Sequence, residues 1–237
     1  KTRAIVPSKT SQDVHATFTF EMGDSDRAWR AAYGVLSQLK LEMTRKECKI
    51  SGGGLAKKIE DGITITASPT EIEQALILPD MWSVYLADEF SGLDSATALS
   101  RVFSASFETP EAIGMIWPLK RSEASYAAVI NKVLSSMLFR LLVATDSEGM
   151  ALLETMRNNS GAKTNVRLEA IGQEISTGAP YRLTISSPVS VKMMSEFKDE
   201  EGVYAVEWGL ECVDDGSHAL EIGLVNKIGT FGTALGA

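Results

Sequence analysis

The sequence predicts a mostly β fold, and three observations predict it. Apolar and polar residues alternate with a period of two from one end of the chain to the other, the pattern of strands with one buried face. Clusters of Gly, Asp, Ser and Pro punctuate that alternation where turns belong. Of the 237 residues, 44% are hydrophobic and 23% charged, the balance of a packed globular protein and not of a disordered, collagenous or disulfide-held one. The length suits one large all-β domain or two modules of about 100 residues each.

Ala16, Phe18 and Phe20 alternate with His15, Thr17 and Thr19 and stop at Gly23, Asp24 and Ser25, which defines a first strand. Residues 26–38 read two ways. Trp29, Ala32, Tyr33 and Leu36 share a helical face, while Gly34 weakens a helix and Tyr33, Val35 and Ser37 would continue a strand; the balance tips slightly to helix. Leu39, Leu41 and Met43 then alternate with Lys40 and Glu42, and Cys48 and Ile50 begin a return strand after a charged turn, a hairpin pattern. Ile63 and Ile65 mark a short strand. Ala67, Ser68, Pro69 and Thr70 interrupt the alternation, with a capping-box spacing from Thr70 to Glu73, so a module boundary is expected between about residues 68 and 80.

Beyond Pro79, Trp82, Val84 and Leu86 share one face of a strand, and Phe103, Ala105 and Phe107 share one face of the next. Tyr126, Val129, Ile130 and Val133 stand at helical spacing before a strand carrying Met137, Phe139, Leu141 and Val143. Asp146 or Ser147 can cap a second helix that buries Met150, Leu153 and Met156 and ends at Asn158, Asn159, Ser160 and Gly161. Strands follow at 166–170, 181–185, 189–193, 203–213 and 219–225, with turn residues expected between each pair. The order strand, helix, strand near residues 15–43 is echoed near 137–170, as two related modules would show.

Chemistry-bearing motifs are sparse. Gly52, Gly53 and Gly54 precede Lys57 and Lys58, but the spacing lacks the form that cradles a phosphate, and a turn or strand-edge loop is the expected role. His15 and His218 are not spaced as ligands with Cys48 or Cys212, so neither a metal nor another cofactor is expected; both cysteines read as reduced core residues. The acid pairs Glu200/Glu201 and Asp214/Asp215 read as solvated turns, and no nucleophile elbow accompanies two histidines, so no catalytic residue is assigned. Trp29, Trp82, Trp117 and Trp208 could stack on sugars in a carbohydrate-binding module, although Trp82 and Trp208 lie on apolar faces that suit a core. No apolar run reaches the roughly 20 residues that cross a bilayer, so no membrane anchoring is expected. The chain opens on Lys1 with no apolar leader behind it, which suggests a processed or trimmed start.

The formal net charge of -8 and isoelectric point near 4.9 disfavour binding of nucleic acid. From Ser190 onward nine acids face three lysines, so the negative charge concentrates near the end of the chain. There Tyr204, Val206, Trp208, Leu210 and Cys212 share a core face, while Glu207 and Glu211 share the other with small residues. Leu220, Ile222 and Leu224 follow as a second buried face opposite Glu221. Paired as a hairpin with Cys212 facing Leu220, these strands would set Glu211 against Glu221, a repulsion best tolerated on a surface that needs to be acidic.

This stretch resembles the tail tube proteins, or major tail proteins, of long-tailed bacteriophages. The likeness runs through Pro180-Tyr181-Arg182-Leu183-Thr184-Ile185, Pro188-Val189, Phe197, Asp199, Gly202-Val203-Tyr204-Ala205-Val206-Glu207-Trp208, Val213-Asp214 and Leu224-Val225-Asn226. Upstream, Ala144, Asp146, Gly149 and Met150 resemble the family's strand-to-helix junction, and residues 17–24 and 82–86 match more loosely. The likeness covers residues 137–228 well and 15–120 loosely, and it rests on order and spacing. It implies an antiparallel β-sandwich or barrel with one or two short flanking α-helices, divided as an N-terminal β module at 1–77 and a tube-like domain at 78–237. It also implies homo-oligomeric rings of three or six chains stacked into the tail tube of the virion, assembled in the bacterial host cytoplasm. Partners would be the tape measure, tail-tip and tail-terminator proteins, with genomic DNA passing through unbound. Glu207, Glu211 and Glu221 are then the candidates for an acidic face lining that lumen.

Overall fold

The computed structural model describes residues 2–5, 17–67, 76–110, 113–116, 126–129, 137–145 and 163–227. Alternating residues become strands throughout: β1 (Thr2–Ile5), β2 (Phe18–Gly23), β3 (Ala28–Thr44), β4 (Cys48–Asp61), β5 (Trp82–Ala87), β6 (Val102–Glu108), β7 (Ile113–Ile116), β8 (Tyr126–Val129), β9 (Leu138–Ala144), β10 (Lys163–Ser176), β11 (Ala179–Met194), β12 (Lys198–Glu200), β13 (Val203–Cys212) and β14 (Glu221–Val225). Single 3-10 turns at Pro79–Met81 and Phe90–Asp94 flank β5. The protein is mainly β, and its strand pairs are antiparallel.

Twelve strands join one sheet whose path runs β1-β14-β11-β13-β9-β6-β3-β2, with β10 on β11, β5 on β10, β12 on β13 and β4 on β3; β7 and β8 form a hairpin of their own. Two long strands organise it. β11 keeps β10 along one edge and takes β14 and then β13 along the other. β3 likewise keeps β4 along one edge and takes β2 and then β6 along the other. Pro188 falls where β14 has ended at Ser186 and β13 begins at Val189. Its carbonyl accepts the Val213 N–H on that side, so its missing N–H faces the gap between partners and costs the ladder nothing.

The sheet doubles over so that Val84, Val166 and Leu168 meet Leu41, Phe107, Phe139, Leu141, Trp208 and Leu210 in one core. Phe107 and Phe139 are paired across β6 and β9 and pack with ring centroids 4.9 Å apart, in a tilted arrangement aromatic pairs favour. Leu41 and Met43, before residue 77, share this core with strands after it, and β3 pairs directly with β6.

Several expectations are corrected. Residues 28–38 belong to strand β3 and form no helix, and Tyr126–Val129 is a strand where a helix was expected. Ile63 and Ile65 lie outside any strand, with Ile63 tied to Ala28 by a single backbone hydrogen bond. Residues 181–193 are one strand without an intervening turn. Gly52, Gly53 and Gly54 lie within β4 and form no loop. The expected hairpin of 203–213 with 219–225 does not exist, because β11 lies beside both strands and each pairs with it. No α-helix occurs among the described residues; the predicted capping-box segment at Thr70 and the helix from Asp146 lie outside them.

Candidate functional site

The Asp214/Asp215 pair hydrogen-bonds the local backbone. Asp214 accepts the Gly216 N–H at 2.7 Å, and Asp215 accepts those of Ser217 and His218 at 2.7 and 2.5 Å. These bonds, the one from His218 first, hold the Asp215 carboxyl below its ordinary range. Glu201 (φ 54°) and Gly202 (φ 84°) make the tight turn between β12 and β13, both in the left-handed region that a two-residue hairpin needs. Cys212 is fully buried, and desolvation pushes its thiol up to about 12; Cys48 is half-buried beside the Trp82 indole, and its thiol is also raised by burial. Neither is the depressed, exposed thiol of a nucleophile. Trp208 is buried, and Trp29 is partly buried with its ring 5.7 Å from that of Phe20. Trp117 and His15 lie outside the described residues. Among the described residues no cluster of His, Cys, Asp or Glu is placed to hold a metal, and no helix is long and apolar enough to cross a membrane.

Glu207, Glu211 and Glu221 come to the outward side of the strands, in a register the sequence did not reveal. Glu211 stands opposite Ser190 and Glu221 opposite Ser186, on the same edge of β11 and four positions apart. That separates them by roughly 13 Å along the strand, so they do not repel as directly opposed neighbours. Nor are Glu207 and Glu211 bare. Lys198 reaches Glu207 at 2.6 Å and Arg140 at 3.6 Å, and Lys192 reaches Glu211 at 3.0 Å. The Lys198 hydrogen bond is the main reason the Glu207 carboxyl is held below its ordinary value. The neighbouring strands add Lys40 and Glu42, paired at 2.7 Å. At Glu207 and Glu211 the acid is neutralised by neighbouring cations.

A feature that sequence reading missed lies on β2, β3 and β4, which run on beyond the end of β6 as an arm. Here Phe18, Phe20, Leu36 and Ile50 surround an open concavity of about 530 Å³ floored by Gly34, Gly52, Gly53 and Gly54. The triple glycine and the alternating phenylalanines were its only signals in the sequence.

A scan against protein-family models finds no match, and a search of curated proteins finds no similar sequence.

Proposed function

We propose that this chain is a structural, self-assembling protein of the tail tube type, whose copies form rings that stack into the conduit for a phage genome. The observation that carries the reading is the sheet left open: β1, β2, β4 and β5 each pair on one edge only among the described residues, and the arm bears a bare apolar side. In a solitary molecule such edges template aggregation, whereas in an assembly they are the joints. The mainly antiparallel β fold and the order of the residues resembling tail tube proteins support the same reading. The tape measure, tail-tip and terminator proteins would then be its partners, and the virion tail its location.

The Glu207, Glu211 and Glu221 face is the candidate lumen wall, on revised physical grounds. DNA carries about one negative charge per 1.7 Å, and lysines free to meet its phosphates would retard its passage. Glu207 and Glu211 engage Lys198, Arg140 and Lys192 and keep them from doing so. Replacing both glutamates by Gln should create salt-sensitive retention of duplex DNA in a filter assay at 50 mM salt or below, where the parent chain shows none. Equal retention by the two proteins would remove this face from the lumen. Negative-stain microscopy of the purified chain tests the assembly itself.

A further inference from the structure

A small recess lies where β5 and β13 both end. Asn165 of β10 stands opposite Ala87, the last residue of β5, and opposite Pro188 of β11. Beyond Ala87 the chain enters the 3-10 turn at Phe90–Asp94, and beyond Cys212 it makes the turn held by Asp214 and Asp215. The two loops meet where the Phe90 and His218 rings stack, with centroids 4.3 Å apart and planes 11° from parallel. Between them they leave an opening of about 310 Å³, lined by Phe90, His218 and Pro188 and by Asn165. That volume is at the low end of small-molecule sites.

Asn165 is the observation that points to a ligand. It is only 5% exposed. Its Nδ2 donates to the carbonyls of Ala87 at 3.2 Å and Asp88 at 3.0 Å, which fastens the end of β5. Those two bonds fix which end of the amide is nitrogen. The oxygen, Oδ1, is buried and has no hydrogen-bond partner among the described residues. Buried acceptors are nearly always paired, and an unpaired one is a standing cost that a donor in the recess would remove.

The charges around the recess say what kind of donor it takes. Asp88, Glu89 and Asp215 bring three carboxylates to its lining, against Lys163, whose Nζ donates to the Asp214 carbonyl at 3.5 Å. A hydroxyl-bearing ligand asks for donors as well as acceptors. An ammonium brings three N–H donors and no acceptor, which matches this excess of acceptors and its negative charge. No group of His, Cys, Asp and Glu among the described residues is placed to hold a metal ion, so the match is to an organic cation.

We infer that this recess binds a primary ammonium on a short alkyl stem, its nitrogen between Asn165 Oδ1 and the carboxylates of Asp88 and Glu89, its stem along Phe90 and Pro188. A free amine and the end of a partner's lysine side chain share this chemistry. Once occupied, the recess ties the loop after β5 to the loop between β13 and β14. The inference stands apart from the self-assembly reading and needs neither rings nor tubes.

The test is titration calorimetry of the full chain with n-butylamine, n-butanol and methyl β-glucoside, with amide exchange read by mass spectrometry. Salt at about 0.15 M screens diffuse attraction of cations to an acidic protein. Butylamine should bind once per chain with half-saturation at roughly millimolar concentration, as its few atoms allow, and should slow exchange at residues 88–92 and 214–218 together. Butanol should do neither. The double variant Asp88→Asn with Glu89→Gln, at two exposed positions, should keep its melting temperature and raise half-saturation about 10-fold. Asn165→Leu should abolish binding, and the Asp88 and Glu89 variant decides the matter where Asn165→Leu does not fold. α-N-acetyl-lysine amide that binds as tightly as butylamine supports the site with a partner's lysine as its source, and binding 10-fold weaker supports it with a free amine. Binding of the glucoside but not of butylamine would overturn the inference. So would unchanged butylamine binding by either variant, or protection spread evenly over the chain. If no probe binds, the recess takes no amine and a buried water is what satisfies Asn165.

Discussion

Glu207 shows how a side chain's neighbours decide what it does. Its carboxyl is depressed chiefly by the Lys198 hydrogen bond, and the depressed value belongs to the folded state. The stabilisation is therefore present above the ordinary glutamate value of about 4.3 and is lost as pH falls through the folded value. Glu207→Gln should lower stability by about 0.2–1 kcal/mol at pH 7, the range of a partly exposed ion pair, and the gap between the two proteins should close as pH falls below the ordinary glutamate value in urea titrations. A gap that stays constant down to the acid unfolding of the protein would contradict the ion-pair origin. Cys212 makes the second residue-scale prediction. With a thiol pushed up to about 12 and no exposed surface, it should resist a disulfide reagent at pH 8 until the protein unfolds, while half-buried Cys48 reacts first. Rapid labelling of Cys212 in the native protein would mean that the β11–β13 edge opens readily. At this scale much was legible: alternation alone marked Trp208, Leu210 and Cys212 as core. The ion-pair partners of Glu207 and Glu211 were not, because Arg140 lies 67 positions from Glu207 and meets it only through the β9–β13 pairing.

The elements that sequence reading missed share a physical cause. β3 looks helical because its pairing register shifts twice, between Phe18 and Phe20 against β2 and between Leu36 and Gln38 against β4. Each bulge adds a residue and breaks the period of two, so Trp29, Ala32, Tyr33 and Leu36 fall at helical spacing on a strand. Tyr33, at φ 55°, marks the first bulge with a conformation unusual for a side chain of its size. In β11, Ser186, Ser187 and Pro188 imitate a turn, yet the strand continues because Pro188 sits where no neighbour asks for its N–H. Two substitutions test the assignment of elements. Gly223 lies so close to Thr184 that any Cβ would collide with its hydroxyl, so Gly223→Val should loosen β14 and with it β1. Amide exchange should rise in β1 and β14 and stay unchanged in β6 and β9; an equal rise in all four would contradict the terminal position of this pair in the sheet. Phe139→Ala, in the centre of the core, should cost about 3–5 kcal/mol. A loss below about 1 kcal/mol would mean that the β6–β9 region is not the core.

For the whole molecule, the fold class was legible and the topology was not. Period-two patterning announces strands but says nothing of which strands are neighbours, and the adjacent pair β13 and β14 misled because β11 takes both as partners along one edge. The same topology leaves the sheet open, joins residues on both sides of position 77 in one core, and leaves an apolar groove on the arm. Among the described residues four strands keep an unpaired edge and the arm keeps an exposed apolar side, and the proposal of self-assembly rests on these. Negative-stain microscopy of the purified chain at rising concentration tests it most directly. Rings or hollow tubes with a fixed subunit number of three or six are the predicted result. Monomers that persist at every concentration, and remain so with tail-tip proteins added, would contradict it.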